Sequence, residues 1–275
     1  MENKPVVSVV MATFNEPPLM IKKAIRSILE QTYENFELLI FDDSTDNNTV
    51  SAIDEFTSDP RVCVNRNEKR MRFVPSLNMG LKQAKGKYIA RMDGDDIALH
   101  TRFEKEVEYL EKHPDIAVVG GQTDIIDESG AVVSHRSYPS GGIKLWLFSC
   151  LRNPLAHPSV MMRRDIIDNG YTYNEKLEMS EDLDLWLRLM NDGYKIANLN
   201  DTVLKYRVQA NFNNKRTDVK QRNYTAKVRK SNFSKKHPFH GILSTFSGWL
   251  FAHISVKSIS KIYDKENKKL SAGGN

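Results

Sequence analysis

The chain has 275 residues and a formal net charge of +5 at pH 7, but residues 1–202 carry 24 basic and 32 acidic side chains whereas residues 203–275 carry 16 and 3. This length allows one large domain with an appendage, and a basic C-terminal third is typical of proteins with a polyanionic partner. The two cysteines lack the spacing of a metal site or a disulfide, and the sequence MENKP leads directly into a strand-like run, so we expect a cytosolic protein without a secretory signal.

Strands and helices alternate over the first 120 residues. Strands are predicted at 6–12, 36–41, 61–65, 88–92 and 116–121. Helices are predicted between them at 15–31, 47–56, 75–84 and 102–113. The first helix has Ile21, Ile25, Ile28 and Leu29 on one face. This alternation predicts an α/β fold, in which a mostly parallel sheet is flanked by helices.

The second half of the chain is less regular. It is predicted to contain a hairpin over 123–136, strands at 157–164 and 200–208, and a helix over 181–193. The buried face of that helix is predicted to carry Leu185, Trp186 and Leu189. We expect one α/β domain over residues 1–210, followed by a basic helical region over 211–275.

Acidic residues crowd the ends of the predicted strands, as DDSTDN after the second strand and DGDD after the fourth. In a doubly wound sheet these ends line one crevice. Crowded carboxylates repel one another unless a cation or a proton lies among them, and Mg²⁺ or Mn²⁺ prefers such oxygen ligands. The alternative for DGDD is a polar loop that caps a helix. A dinucleotide-binding enzyme is disfavoured, because the turn after the first strand has no glycine.

A further acidic pair, Glu181 and Asp182, begins the predicted helix over 181–193. Acidic residues are favoured at this position by capping and by the helix dipole. Asp182 is equally suited to act as a general base at the lip of the crevice. The sequence leaves both interpretations open.

Three stretches together resemble family 2 glycosyltransferases of the GT-A fold: VSVVMATFNE with FELLIFDDSTD, NMGLKQAKGKYIARMDGDD, and HPSVMMRR with SEDLDLWLRL. The resemblance extends over residues 5–208, and bacterial enzymes of capsule, O-antigen and exopolysaccharide assembly are the most similar. It implies a GT-A, Rossmann-like domain with a nucleotide-sugar half over residues 1–120 and an acceptor half over residues 121–210.

The resemblance also implies roles for individual residues. Asp93 and Asp95 match the DXD motif of the family, with Asp95 as the direct ligand of Mn²⁺ or Mg²⁺ and Asp96 near the sugar. Many members carry Arg-Asn in the third helix where this chain has Leu77 and Asn78, so Arg72 is expected to contact the nucleotide instead. The residues implied at the donor site are Thr13, Asn15, Asp42, Asp43, Arg72, Asp93 and Asp96.

On the acceptor side, the resemblance implies that Asp182 is the catalytic base. His157 and Glu181 are candidates there, although His157 is equally suited to a structural role in the core. The implied activity is transfer of a sugar from a UDP-linked donor to a hydroxyl group of a lipid-linked or polysaccharide acceptor, with inversion of configuration. Two alternatives remain: a nucleotide-sugar-binding protein without catalysis, and a basic-tailed adaptor for membranes or nucleic acid.

The C-terminal region is basic and then uncharged. Residues 205–236 contain 11 Lys or Arg and one acid, and residues 241–256 carry no formal charge. This uncharged stretch is shorter than the ~20 apolar residues that span a bilayer. We expect a helix over about 242–262 that lies on an anionic membrane surface at the cytoplasmic face, or else packs on the domain. Nucleic-acid binding is disfavoured, because no recognised module accompanies the charge.

Overall fold

The computed structural model describes residues 4–66, 69–208 and 219–253, which form a mixed sheet of nine strands flanked by helices. The order in the sheet is β3-β2-β1-β4-β8-β6-β9-β5, and β7 pairs with β6. The strands are β1 Val7–Thr13, β2 Phe36–Asp42, β3 Val62–Arg66, β4 Tyr88–Asp93, β5 Ile97–Ala98, β6 Ile116–Ile126, β7 Val132–Arg136, β8 Met161–Arg163 and β9 Lys195–Arg207.

Nine α-helices are present in the described residues, together with a 3₁₀ turn at His157–Ser159. The helices are α1 Pro18–Leu29, α2 Asn47–Asp54, α3 Phe73–Gln83, α4 Arg102–Lys112, α5 Gly142–Ser149, α6 Arg164–Asp168, α7 Glu181–Asn191, α8 Val219–Ser231 and α9 Pro238–His253. The short helices α5 and α6 were not expected from the sequence, because neither is long enough to show a helical period.

The predicted α/β class is confirmed, and the direction of the strands is mixed. Strands β1 to β4 pair in parallel with one another, as do β6 and β9. The short strands β5, β7 and β8 pair antiparallel with their neighbours. The predicted strand over 157–164 begins instead as a 3₁₀ turn, because two successive residues there, His157 and Pro158, leave the extended conformation. Hydrophobic runs indicate buried strands but carry no information about strand direction.

The core lies on both faces of the sheet. Successive side chains of β1 alternate between them, since Val9 and Met11 pack toward α1 and α4 while Val10 packs toward α3 and α7. The predicted inner face of α1 is buried at Ile21, Ile25 and Ile28 and partly buried at Leu29. The predicted inner face of α7 is buried in full at Leu185, Trp186 and Leu189.

Helix α3 lies unusually close to β1. A Cβ atom added to Gly80 would be 2.2 Å from Cγ1 of Val10 and 3.1 Å from the ring of Phe41. Only glycine allows this approach. The close packing fixes the start of α3, and with it Arg72 and Phe73, beside the carboxyl end of β1.

Helices α8 and α9 pack against the α/β domain rather than extending from it. The guanidinium of Arg229 on α8 is buried and donates to the carbonyl of Ser149 and, at 3.0 Å, to Oγ of Ser244 on α9. Of the two arrangements expected for the C-terminal region, packing on the domain is therefore present through His253. Residues 254–262 of the predicted surface helix lie outside the described residues. Among the described residues, no helix is both long and apolar enough to span a bilayer.

Candidate functional site

Three neighbouring strands end at one edge of the sheet. In the register, Thr13 of β1 is opposite Asp42 of β2, and Ala12 is opposite Asp93 of β4. The polar residues that follow these strands are brought together because all three strands are parallel. The common crevice predicted from the sequence is therefore present.

A cavity of about 120 Å³ opens at this edge. It is lined by Ala12, Thr13, Phe14, Glu16, Asp43, Arg70, Arg72, Phe73, Ser76 and Asp93. Oδ2 of Asp43 accepts a hydrogen bond of 2.8 Å from the backbone amide of Arg72, which has a positive φ of 73°. Four of the residues predicted for the donor site, Thr13, Asp43, Arg72 and Asp93, thus share one cavity.

Two other predicted donor residues are engaged with neighbouring loops. Oδ1 of Asn15 accepts hydrogen bonds from the backbone amides of Thr45 and Asp46, at 2.8 and 2.9 Å. Asp42 is buried and forms an ion pair of 3.1 Å with Arg66 on β3. These side chains fix the shape of the loops that surround the cavity.

The carboxylates of Asp93, Asp95 and Asp96 form a compact group, with one oxygen from each within 4.8 Å of the others. Burial, followed by the charges of Asp93 and Glu16, raises the pKa of Asp95 to about 7. Arg91 supplies positive charge to this group, but the negative charges and burial outweigh it. The all-oxygen donors and this excess of negative charge fit a hard divalent ion such as Mg²⁺ or Mn²⁺, for which Asp95 and Asp93 are the candidate ligands.

Asp96 is turned toward the protein interior. Its Oδ1 accepts a hydrogen bond of 2.7 Å from the backbone amide of Arg207, at the end of β9. The side chain of Arg207 donates to the carbonyl of Asp95, at 2.8 Å, and to those of Asp127 and Glu128. Arg207 was not identified from the sequence, because nothing near it in the chain marks its contact with a loop more than 100 residues earlier.

Arg91 is a buried cation in the same region and was also missed. It forms an ion pair with Asp93, and its guanidinium lies 5.3 Å from the ring centroid of Phe73. Its positive charge also acts on the carboxyls of Glu181 and Asp182. The signal available in the sequence is a charged residue inside the buried strand YIARMD, where an unpaired charge would be costly.

Glu16 is a further acidic residue of the crevice that the sequence reading overlooked. Its carboxylate accepts hydrogen bonds from the hydroxyl of Thr13 and, at 2.7 Å, from the backbone amide of Phe14. Burial raises the pKa of Glu16, and the nearby charge of Asp93 contributes in the same direction. Glu16 therefore adds to the negative potential around DGDD.

The second acidic group begins α7. Asn153 donates a hydrogen bond to Oδ2 of Asp182, and Oδ1 of Asp182 accepts one of 2.7 Å from the amide of Leu183. Burial raises the pKa of Asp182. Burial and, as the second cause, the negative charge of Asp182 raise the pKa of Glu181 to about 7. The N-cap residue, Ser180, makes no side-chain capping bond.

His157 lies between this acidic pair and the core. It shares a hydrogen bond of 2.8 Å with the hydroxyl of Tyr173, and its Nδ1 is 3.8 Å from Oε1 of Glu181. Rings of Phe73 and Trp186 contact it edge-on. Burial, and then the charge of Arg91, lower its pKa well below the usual value, so it is neutral. His157 is thus a packed histidine that also borders Glu181.

Comparison with known proteins identifies relatives over most of the chain. The family model described as "Glycosyl transferase family 2" matches residues 8–170. An uncharacterized glycosyltransferase of Methanocaldococcus jannaschii, MJ1057, is 34% identical over 86% of this chain and 82% of its own length. The O-antigen biosynthesis glycosyltransferase WbnJ of Escherichia coli is 34% identical over 74% of this chain and 79% of its own. The crystal structure of S. aureus TarS 1–349 with UDP-GlcNAc superposes with a TM-score of 0.66 at 18% identity, covering 87% of this chain and 70% of TarS 1–349.

Proposed function

The chain belongs to glycosyl transferase family 2. On that premise we propose that it transfers a sugar from a UDP-linked donor to a hydroxyl group of a lipid-linked or polysaccharide acceptor, with inversion at the anomeric carbon. The reaction belongs to the assembly of a bacterial surface polysaccharide. WbnJ, which is named for O-antigen biosynthesis, supports this assignment.

The observation that carries the proposal is the presence of two separate acidic groups with one buried cation between them. Asp93 and Asp95 belong to the loop after β4, whereas Glu181 and Asp182 begin α7. The charges of Arg91 and Asp93 both act on Glu181, so the two groups face a common region. Sugar transfer from a diphosphate needs this division, because the leaving group gains negative charge on one side while the acceptor loses a proton on the other.

On the donor side, Asp43, Thr13 and Arg72 are proposed to bind the nucleoside, since they line the cavity at the carboxyl end of β1. TarS, with which this chain shares its fold, was crystallised with UDP-GlcNAc, which supports a uridine nucleotide. Asp95 and Asp93 would hold Mn²⁺ or Mg²⁺. When bound, such an ion supplies positive charge that stabilises the departing diphosphate.

On the acceptor side, Asp182 is proposed as the general base. Its carboxylate accepts the proton of the acceptor hydroxyl while that oxygen forms the new bond to the anomeric carbon and the bond to the diphosphate breaks. A single displacement of this kind inverts the anomeric configuration. Hydrogen bonds position both carboxylate oxygens of Asp182, since Oδ2 accepts from Asn153 and Oδ1 accepts from the amide of Leu183. Glu181 and His157 are proposed to border the acceptor.

The location that we propose is the cytoplasmic face of a membrane, on the surface of anionic lipid. The support is the charge distribution, since residues 203–275 carry 16 basic and 3 acidic side chains. Basic clusters of this kind are attracted to anionic headgroups. A lipid-linked acceptor would be concentrated at the same surface.

Calorimetric binding of UDP, GDP and dTDP, each with and without Mn²⁺, tests the donor side. We expect Mn²⁺-dependent binding of UDP that is lost in Asp95→Asn and retained in Asp201→Asn, an exposed aspartate on β9. Binding that is independent of the metal and equal in both variants would contradict the metal assignment.

Turnover of Asp182→Asn tests the base. We expect it to fall by about 10²–10⁴-fold while UDP binding is unchanged. Full turnover in this variant would exclude Asp182 as the base. Analysis of the product by NMR decides whether the new linkage is inverted relative to the donor.

A further inference from the structure

The exposed apolar side chains of this protein are concentrated in one region. Of the 15 large apolar side chains that are exposed in the described residues, nine belong to the segments 143–151 and 233–250. These nine are Ile143, Leu147, Leu151, Phe233, Phe239, Ile242, Phe246, Trp249 and Leu250. Single exposed apolar residues are ordinary, but a concentration of this kind marks an interaction surface.

Helix α9 has the reverse of the polarity expected for a helix on a soluble domain. Its side toward the protein consists of small or polar residues, and its outward side is apolar. The buried residues are His240, Gly241, Ser244, Ser247 and Gly248. The outward residues are Phe239, Ile242, Phe246, Trp249 and Leu250, of which Phe239 is 66% exposed and Trp249 is 54% exposed.

The inner side of α9 is held by specific contacts, so its outward side is fixed in orientation. Nε2 of His240 and the hydroxyl of Ser149 share a hydrogen bond of 2.9 Å, and the hydroxyl of Ser247 donates to the carbonyl of Cys150. Arg229 donates to Oγ of Ser244 at 3.0 Å. The helix is therefore docked through its polar side, and the apolar side is left facing outward.

Residues of α5 and of the turn before α9 extend the apolar region. The ring of Phe233 lies directly over Gly241, where an added Cβ would be 2.8 Å from Cδ2 of the ring. Trp146 packs on His240 with ring centroids 4.6 Å apart. The exposed Leu147 follows Trp146 directly in the chain. We refer to the nine exposed apolar residues as the α5–α9 surface.

The segment that contains α8 and α9 is basic. Residues 219–253 contain seven Lys or Arg and no acidic residue. Lys227, Lys230 and Lys235 are exposed, and among the described residues none of them has an ion-pair partner. Phe and Trp side chains beside unpaired lysines match the interfacial region of a bilayer, where aromatic rings lie at the headgroup level and lysines meet anionic lipid.

We propose that the α5–α9 surface docks the protein on an anionic lipid bilayer, with α9 lying in the plane of the interface. Along the chain, Leu151 of this surface lies two residues before Asn153, which donates a hydrogen bond to Asp182. The advantage of docking for a lipid-linked acceptor rests on the function proposed above, whereas the docking itself does not.

Co-sedimentation of the full chain with vesicles tests this inference. Vesicles of phosphatidylcholine alone are compared with vesicles that also contain phosphatidylglycerol. We expect the unsubstituted chain to bind the anionic vesicles, and this binding should weaken as salt is added. In the double variant Phe246→Ser with Trp249→Ser, the partition coefficient should fall by about 100-fold. The matched control is Val132→Ser with Val133→Ser, two exposed valines on β7 that are 55% and 53% exposed and lie outside the surface. This control is expected to bind as the unsubstituted chain does.

Equal partition of both double variants, or no binding of the unsubstituted chain, would overturn the inference. Light scattering without vesicles tests the alternative that the α5–α9 surface binds a second copy of the chain. A dimer that dissociates in Phe246→Ser with Trp249→Ser, without vesicle binding, would also overturn it. Calorimetric UDP binding separates this inference from the proposed function, because the variant should bind UDP normally. Vesicle binding without any sugar transfer would contradict only the proposed function.

Discussion

The side-chain amide of Asn153 donates a hydrogen bond to Oδ2 of Asp182, and so joins the turn after α5 to the first turn of α7. This bond favours the ionised carboxylate and lowers the pKa of Asp182, in opposition to burial, which raises it. Asn153 is therefore placed to adjust the proposed base without contacting the donor side. Its effect should appear in the pH dependence of the reaction.

Asn153→Ala is expected to move the acidic limb of the kcat/KM profile to higher pH. The base acts when it is deprotonated, and loss of the amide donor raises the pKa of Asp182, so more of the enzyme is protonated at neutral pH. A shift of about one pH unit corresponds to one lost hydrogen bond to a charged group. The control is Asn169→Ala, an exposed residue at the end of α6, which should leave the limb unchanged. An equal loss of activity at every pH would indicate a purely structural role.

Glu181→Gln should leave the same limb in place. The charge of Asp182 raises the pKa of Glu181 to about 7, so Asp182 ionises first, while Glu181 is still uncharged, and Gln reproduces that uncharged form. Any change in kcat/KM that accompanies ionisation of Glu181 should disappear. The measurement is the kcat/KM profile, with Glu178→Gln as an exposed control three residues away. Loss of activity at every pH would mean that Glu181 acts as the base.

The buried pair Arg102 and Glu106 is expected to be essential for stability. Both side chains are 0% exposed, and Arg102 also donates to the carbonyl of Arg91 at 3.0 Å. Arg102→Met leaves Glu106 without its counter-charge, so we expect a loss of about 3–5 kcal/mol in the free energy of unfolding.

Burial raises the pKa of Glu106 to about 7, so protonation relieves part of this loss below neutral pH, and the deficit should be larger above it. Urea unfolding at one pH below 7 and at one pH above 7 measures the effect. Lys105→Met, which removes an exposed ion pair with Asp201, is the control and should cost at most about 1 kcal/mol. A similar loss in both variants would refute this role for Arg102.

Gly80→Ala is expected to destabilise the protein by about 1–3 kcal/mol or more, since the new methyl group would overlap Val10. The substitution also displaces the start of α3, so UDP affinity should fall in parallel with stability. Lys82→Ala, on the exposed side of the same helix, is the control for altered helix propensity. The prediction is checked by thermal unfolding and UDP calorimetry, and unchanged values for Gly80→Ala would contradict the close packing of α3.

The residues that could be predicted from the sequence are those marked by local pattern. Asp43, Asp93 and Asp95 directly end strands or follow them, so the order of elements alone assigns them to one edge of the sheet. Asn153 and Arg207 carry no such mark, because each acts through a partner far away in the chain. A strand over 157–164 was predicted, but the antiparallel direction of β8 and its place between β4 and β6 were not, since strand order is decided by long-range packing.

Arg207 also sets a lower limit on the length of a useful fragment. Its guanidinium ties the carbonyl of Asp95 to the hairpin between β6 and β7, and its backbone amide holds Asp96. A chain that stops before residue 207 would retain every acidic residue of the DGDD loop but would lose the hydrogen bonds from Arg207 that fix the conformation of this loop. A minimal donor-binding fragment should therefore end after β9, even though the motifs that suggest the activity are complete well before that point.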